Sequence, residues 1–142
     1  MAAVKGVNMT KYDAGGSGDN YIAGGEHNTG VLCQMDSYEA AALASGSTID
    51  IAELPEGAKI VGILLAFDAL GTGVTLAVGD ADDTDRYISA ASAASLGNLN
   101  TLRVDGLKRA IGTSTNDSRI QVLTGGASAT GTIKSIVLYT LL

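Results

Sequence analysis

The chain has 142 residues, of which 46% are hydrophobic and 17% charged, and its formal net charge is −6. This length predicts one domain with a core large enough to fold without disulfides or metals. The negative balance and the absence of a lysine or arginine cluster argue against a nucleic-acid partner. The longest apolar run, residues 60–67, is far too short to span a membrane as a helix.

Residues 1–30 form a glycine-rich segment that we interpret as an extended N-terminal arm. Glycine pairs at 15–16 and 24–25 interrupt it, and no helix or strand is predicted there. Its apolar side chains are scattered, and they gain free energy only where a second surface covers them. We therefore predict that the arm contacts another subunit or a larger assembly through Val4, Val7, Met9, Tyr12, Tyr21 and Ile22.

From residue 31 onward, short β-rich runs alternate with turn signals. Residues 31–35 are a candidate strand, and residues 39–44 predict either one helical turn or a further strand. Residues 48–54 alternate with period 2, as a half-buried strand does. Residues 58–68 are continuously apolar apart from their ends and predict a central strand covered on both faces, with a core contribution from Ile60, Ile63, Leu65 and Phe67.

The remaining runs predict strands at residues 74–78, 86–89, 102–104, 119–123 and 131–139. The alanine-rich residues 89–96 favour either a short helix or a long loop. About eight short strands at near-regular spacing are typical of an all-β fold. We predict a single β-sandwich or jelly-roll-like domain over residues 31–142, preceded by the arm. An immunoglobulin-like sandwich is the nearest alternative, but the chain lacks the Cys…Trp…Cys pattern of true immunoglobulin domains.

Few residues suggest chemistry. His27 is the only histidine, which excludes a histidine metal cluster within one chain, and Cys33 is the only cysteine, which excludes an intrachain disulfide. We interpret His27 as a surface residue and Cys33 as a core thiol. We predict no catalytic residue and no cofactor. With no apolar signal segment evident, we expect synthesis in a cytoplasm.

An acidic segment offers the best candidate for a ligand. Carboxylates at alternating positions can converge on a hard cation such as Ca²⁺. The EF-hand pattern requires glycine and glutamate where this chain has Asp85 and Ala91, so that match fails. We favour a solvated acidic loop, with a subunit-interface cation as the alternative; the candidate ligands are Asp80, Asp82, Asp83 and Asp85.

Three short segments of the sequence resemble patterns found in small virion structural proteins of tailed bacteriophages. They are residues 53–62 followed by an apolar strand, Val78-Gly79-Asp80 with residues 85–88 shortly after, and Gly131-Thr132-Ile133 leading into the last strand. The resemblance covers about residues 31–142, and capsid decoration (cement) proteins are nearest in size and layout. It implies a non-enzymatic protein of the virion that binds the major capsid protein on the outer capsid surface, often as a homotrimer, after synthesis in the host cytoplasm.

Two other classes of function stay open. A phage tail, neck or fibre component could contain the same sequence segments. A receptor- or carbohydrate-binding module could have the same β-sandwich fold. Aromatic residues make up only 4% of the chain, which counts against sugar stacking. A jelly-roll enzyme with a metal centre would need several histidines.

Overall fold

The computed structural model describes residues 30–107, 109–113 and 115–141. This part of the chain contains eight β-strands and one helical turn. The strands are β1 (Val31–Leu43), β2 (Thr48–Glu53), β3 (Lys59–Phe67), β4 (Thr75–Gly79), β5 (Ile88–Ser92), β6 (Gly97–Leu99), β7 (Arg119–Gly125) and β8 (Ala129–Thr140), and the helical turn is α1 (Thr115–Ser118).

The strands form two four-stranded antiparallel sheets. The first sheet has the order β1-β8-β3-β6 and the second has the order β2-β7-β4-β5. Successive strands mostly alternate between the sheets, so each sheet joins strands from both halves of the chain. Eight strands arranged in this way form a jelly roll. The predicted all-β sandwich is therefore confirmed, and its topology is that of a jelly roll.

Strand β3 shows how the core is built. Ile60, Ile63, Leu65 and Phe67 are all buried, as predicted, and Leu64 between them is exposed. Covering on both faces is wrong, because the second sheet packs against only one face of the first. The spacing of three between Ile60 and Ile63 breaks the period of two, and a register shift in the pairing with β8 between residues 60 and 62 restores both side chains to the inner face.

The structure decides one open alternative and corrects two element predictions. Residues 39–43 are strand, one of the two predicted alternatives, but they continue β1 and do not form a separate strand. Residues 88–92 form β5, which overlaps the strand predicted at 86–89 and corrects the helix or loop predicted at 89–96. Residues 102–104 do not form the predicted strand. The strand nearest to them in the chain is β6 at residues 97–99, which pairs with β3. Residues 104–107 form a turn, and Gly106 in it lies against Tyr87, where a Cβ would stand 2.8 Å from the Tyr87 ring.

Candidate assembly surface

Strand β1 forms a long edge of the first sheet. It has 13 residues and pairs only with β8 among the described strands. The other three edge strands, β2, β5 and β6, have six, five and three residues. Natural sheets commonly blunt their edges with lysine, proline or short length. Strand β1 contains neither lysine nor proline, and its residues 31–35 form an uncharged, regular stretch of edge before Asp36, Glu39 and the register shift between Ala40 and Leu43.

The pairing of β1 with β8 assigns a face to each β1 side chain. Leu32 lies opposite Tyr139 and Gln34 opposite Val137, so these side chains point toward the second sheet. Cys33 and Met35 point outward. Met35 is 71% exposed, and Leu32 on the inner side is still 43% exposed. Strand β1 is thus accessible from both faces as well as along its edge.

The outward side chains of β1 continue into an apolar surface on β8 and β3. One row joins Cys33 and Leu138 to Gly62, and the next joins Met35 and Ile136 to Leu64. We call Cys33, Met35, Leu64, Ile136 and Leu138 the outer strip. Four of these side chains are exposed and Ile136 is half-buried. A contiguous exposed apolar surface of this kind is typical of an interaction site.

The position of Cys33 corrects the expectation of a core thiol. Cys33 is exposed. The sequence around it contains enough apolar residues to suggest burial, but its parity on β1 places it on the solvent side of the sheet. Only the register with β8 reveals this.

Between β1 and β2 the two sheets leave a polar groove. The Gln34 side chain crosses it and hydrogen-bonds the backbone of Glu53, donating to its carbonyl oxygen at 2.7 Å and accepting from its N–H at 3.1 Å. Arg119 lies 3.4 Å from an Asp50 carboxylate oxygen and 3.8 Å from a Glu53 carboxylate oxygen. The groove is lined by Gln34, Met35, Asp36, Asp50, Ile51, Ala52, Glu53 and Arg119, which carry three acids and one base.

The acidic segment follows β4 and surrounds one fully buried carboxylate. Asp80 is 0% exposed. Its Oδ1 accepts hydrogen bonds from the backbone N–H groups of Asp82 (3.1 Å) and Asp83 (3.0 Å). The Arg86 guanidinium pairs with both carboxylate oxygens, with Nη2 3.2 Å from Oδ1 and Nε 2.5 Å from Oδ2. Asp80 therefore stabilises the loop internally.

The Asp80 carboxylate contributes to raised pKa values at both Tyr87 and Arg86. Burial, followed by the negative charge of Asp80, raises the pKa of Tyr87 to about 12. The Tyr87 hydroxyl donates a hydrogen bond to Asp80 Oδ2 at 3.4 Å. Burial opposes the charge on Arg86, but the hydrogen bond and charge of Asp80 outweigh it and raise the pKa of that guanidinium. The three side chains form one polar cluster at the end of the sandwich.

The other three acidic candidates point to different partners. Asp82 accepts a hydrogen bond from the Asn116 side chain at 3.1 Å, and Asp85 pairs with Arg103 at 3.1 Å. The Asp83 side chain accepts from the Asp85 N–H at 3.4 Å. Within the described residues, no three His, Cys, Asp or Glu side chains are placed to hold a metal ion together. The expectation of a solvated loop is wrong for Asp80, which is buried, and agrees with the exposed position of Asp82.

The predicted arm contacts lie outside the described residues. This applies to all six apolar side chains, Val4, Val7, Met9, Tyr12, Tyr21 and Ile22, and also to His27. They remain predictions. Residue 30 leads directly into β1, so the arm joins the domain at the exposed edge of the first sheet.

Three solved structures that are similar to this chain come from phage capsids. A chain of the cyanophage Pam1 capsid asymmetric unit matches with a TM-score of 0.62 and 26% identity, over 81% of this chain and 86% of that one. A chain of the capsid of Ralstonia phage GP4 matches with a TM-score of 0.63 and 22% identity, over 82% and 88%. A chain of the acid-stable capsid of Helicobacter pylori bacteriophage KHP30 matches with a TM-score of 0.56 and 14% identity, over 78% and 87%.

These matches confirm the resemblance to phage virion structural proteins inferred from the sequence. The second and third share the fold, whereas the first also shares a quarter of its aligned residues. No protein-family profile and no curated protein matches the chain. Among the described residues, no helix has the length and apolar character needed to cross a bilayer.

Proposed function

We propose that this protein is a non-enzymatic capsid decoration (cement) protein that binds the outer surface of a phage capsid and stabilises the shell. The observation that carries the proposal is the likeness to a chain of the Pam1 capsid asymmetric unit over most of both chains. Because that match covers 81% of this chain and 86% of the other, the two chains have nearly the same length. A capsid component this small suits an added protein that contacts the major capsid protein.

The surface of the jelly roll supports attachment. The outer strip presents exposed apolar side chains, among them Met35, Leu64 and Leu138. Covering such surface contributes roughly 25 cal/mol per Å² of apolar area. Repeated copies on a capsid lattice add avidity when subunits are joined, because each bound unit holds its neighbours at high local concentration. A homotrimer would use this effect, and we propose that oligomeric state.

The arm completes the attachment. We propose that its apolar residues, from Val4 to Ile22, are covered by a neighbouring subunit or by the shell. These side chains lie upstream of a strand that is already exposed on two faces and one edge. The arm thereby extends the contact area beyond that of the sandwich.

The decisive experiment adds the purified protein back to capsids from which it has been removed. We expect saturable binding at regular positions on the outer capsid surface by electron microscopy, and an increase in the temperature at which the capsids release DNA. Binding to tails or fibres, or no binding to capsids, would overturn the proposal.

A shell subunit is the second candidate, because the matched chains come from whole capsids. Disrupting the gene separates the two functions. A decoration protein should be dispensable for shell formation, so particles should still assemble and become heat-sensitive. Absence of any closed shell would favour the shell subunit instead.

A further inference from the structure

We propose that the free edge of β1 receives residues 4–12 of a neighbouring copy as an added β-strand, so that arms exchanged in a ring hold the oligomer together. The inference rests on the proposed oligomeric decoration function and names the surface that the arm occupies. The accepting surface is the exposed edge of β1, beside the outer strip.

The edges of β1 and β2 face each other and differ in how their backbone groups are bonded. At Glu53, both backbone hydrogen-bonding groups of β2 are used by the Gln34 side chain. Strand β1 has no such cover from another strand among the described residues, although its Ser37 N–H donates to Asp36 Oδ1 at 2.7 Å; its residues 31–39 are exposed or half-buried on both faces. An added strand gains backbone hydrogen bonds along the edge and side-chain contacts on alternate positions.

The pattern and charge of the arm match this edge. Strand β1 contains Asp36 and Glu39 and no basic residue, whereas residues 1–12 contain Lys5 and Lys11 and no acidic residue. Lys5, Val7, Met9 and Lys11 occupy alternate positions, so an added strand would present all four on one face, with the two apolar side chains between the lysines. On that face Val7 and Met9 would extend the outer strip, and a lysine would lie on the same side of the sheet as Glu39.

The length of the linker between residues 4–12 and β1 favours pairing with the β1 edge of a neighbouring copy over pairing with the edge of the same chain. Residues 13–30 separate the matching segment from β1 and contain six glycines. A return onto the strand's own edge would need a loop of only about 2–5 residues. Eighteen residues reach up to about 60 Å when extended, enough to cross to another subunit. Because the donating segment and the accepting edge are different surfaces, the contact is head-to-tail and can close into a ring.

Cys33 makes the proposal directly testable, because it is the only cysteine and lies on the outward face of β1. One full-length chain carries an affinity tag, Cys33→Ala and a cysteine at position 7, 8, 9 or 10. It is refolded with untagged wild-type chain and exposed to mild oxidation. A disulfide requires Cα atoms within about 7 Å, which neighbouring positions on paired strands satisfy. Tagged chain oxidised alone is the control for contacts between the introduced cysteines.

We expect a tagged–untagged disulfide with Val7→Cys or Met9→Cys, at least fivefold more abundant than with Asn8→Cys or Thr10→Cys. Equal cross-linking at all four positions, or none, would overturn the inference. A chain carrying both Cys33 and Met9→Cys that forms only an intrachain disulfide would place the arm on its own edge and also overturn it.

The capsid test separates this inference from the proposed function. Retention of capsid binding without any interchain disulfide would leave the decoration function intact and reject arm exchange. Protection of Cys33 from alkylation only after capsid addition would identify the capsid protein as the occupant of the edge, and would likewise reject arm exchange. A tagged–untagged disulfide without capsid binding would support arm exchange and reject the decoration function.

Discussion

The side-chain amide of Gln34 in the first sheet hydrogen-bonds both the N–H and the carbonyl oxygen of Glu53 in the second sheet. An amide group carries the same donor and acceptor as a peptide bond, so Gln34 replaces a missing strand neighbour at the edge of β2. This single side chain joins the two sheets where β1 is otherwise accessible. Among the described strands, the edge of β1 beyond this contact has no strand neighbour.

The first prediction concerns this connection. Gln34→Ala removes two hydrogen bonds at a partly solvated position, so it should lower the free energy of unfolding by about 1–2 kcal/mol. Ser37→Ala, an exposed change on the same strand, is the control and should change it by less than about 0.5 kcal/mol. Urea denaturation measures both. Equal stability of the two variants would show that the Gln34 contacts contribute nothing.

The second prediction concerns the core. Phe67→Ala should destabilise the domain by about 3–5 kcal/mol, because the ring is 5% exposed and its removal leaves a cavity between the sheets. Leu64→Ala on the same strand faces outward and should cost less than about 1 kcal/mol. Thermal melting compares them. A melting temperature for Phe67→Ala close to that of the parent would contradict the assignment of the inner face.

The third prediction concerns the buried carboxylate. Asp80→Asn places an amide donor against the Arg86 guanidinium and leaves that charge without its partner, which should cost about 3 kcal/mol. Asp85→Asn is the matched control. Its partner is Arg103, and the two side chains are 47% and 38% exposed, so the loss should not exceed about 1 kcal/mol. Comparable losses for the two variants, measured by urea denaturation, would argue against a special role for burial.

The fourth prediction concerns alkaline pH. The pKa of Tyr87 is about 12 in the folded protein, whereas an unfolded tyrosine titrates near 10. The raised value means that the folded state holds the proton more tightly, so its contribution to stability is complete below about pH 10 and is lost as the pH rises toward 12. The free energy of unfolding should therefore fall by up to roughly 3 kcal/mol over this interval.

Tyr87→Phe should remove that part of the alkaline slope, while Tyr38→Phe on the exposed strand should keep it. Denaturation at a series of pH values gives both slopes, and the difference between variants cancels the titration of lysines. An unchanged slope in Tyr87→Phe would mean that Tyr87 does not carry the alkaline transition.

The fifth prediction concerns the arm. Deleting residues 1–25 should leave the jelly roll folded, since the first strand begins at Val31. The deletion should weaken oligomerisation or capsid binding at least tenfold, or about 1.4 kcal/mol. Thermal melting and capsid sedimentation report the two properties separately. Unfolding on truncation would assign the arm to the core, and unchanged binding would assign attachment to the sandwich alone.

Much of the architecture follows from local pattern. Alternation with period 2 and glycine-containing turns predicted seven of the eight described strands and missed β6, and the apolar residues of β3 predicted which side chains enter the core. Residues 88–92 were harder to assign, because alanine favours helices in isolation and tolerates a short strand when a neighbour supplies hydrogen bonds. In the structure, β4 lies beside β5 and pairs with it.

The sequence by itself determined the all-β fold, because strand periodicity and turn chemistry act over a few residues; the glycine-rich arm before it stays a prediction. The tertiary structure decided which face of each strand is covered, because register and sheet order depend on contacts between distant residues. Cys33 became exposed through its pairing opposite Leu138, and Asp80 became buried through Arg86 and Tyr87. That β1 has a single strand neighbour among the described residues is likewise a product of sheet order, since a strand's hydrophobic pattern does not reveal whether it has one neighbour or two.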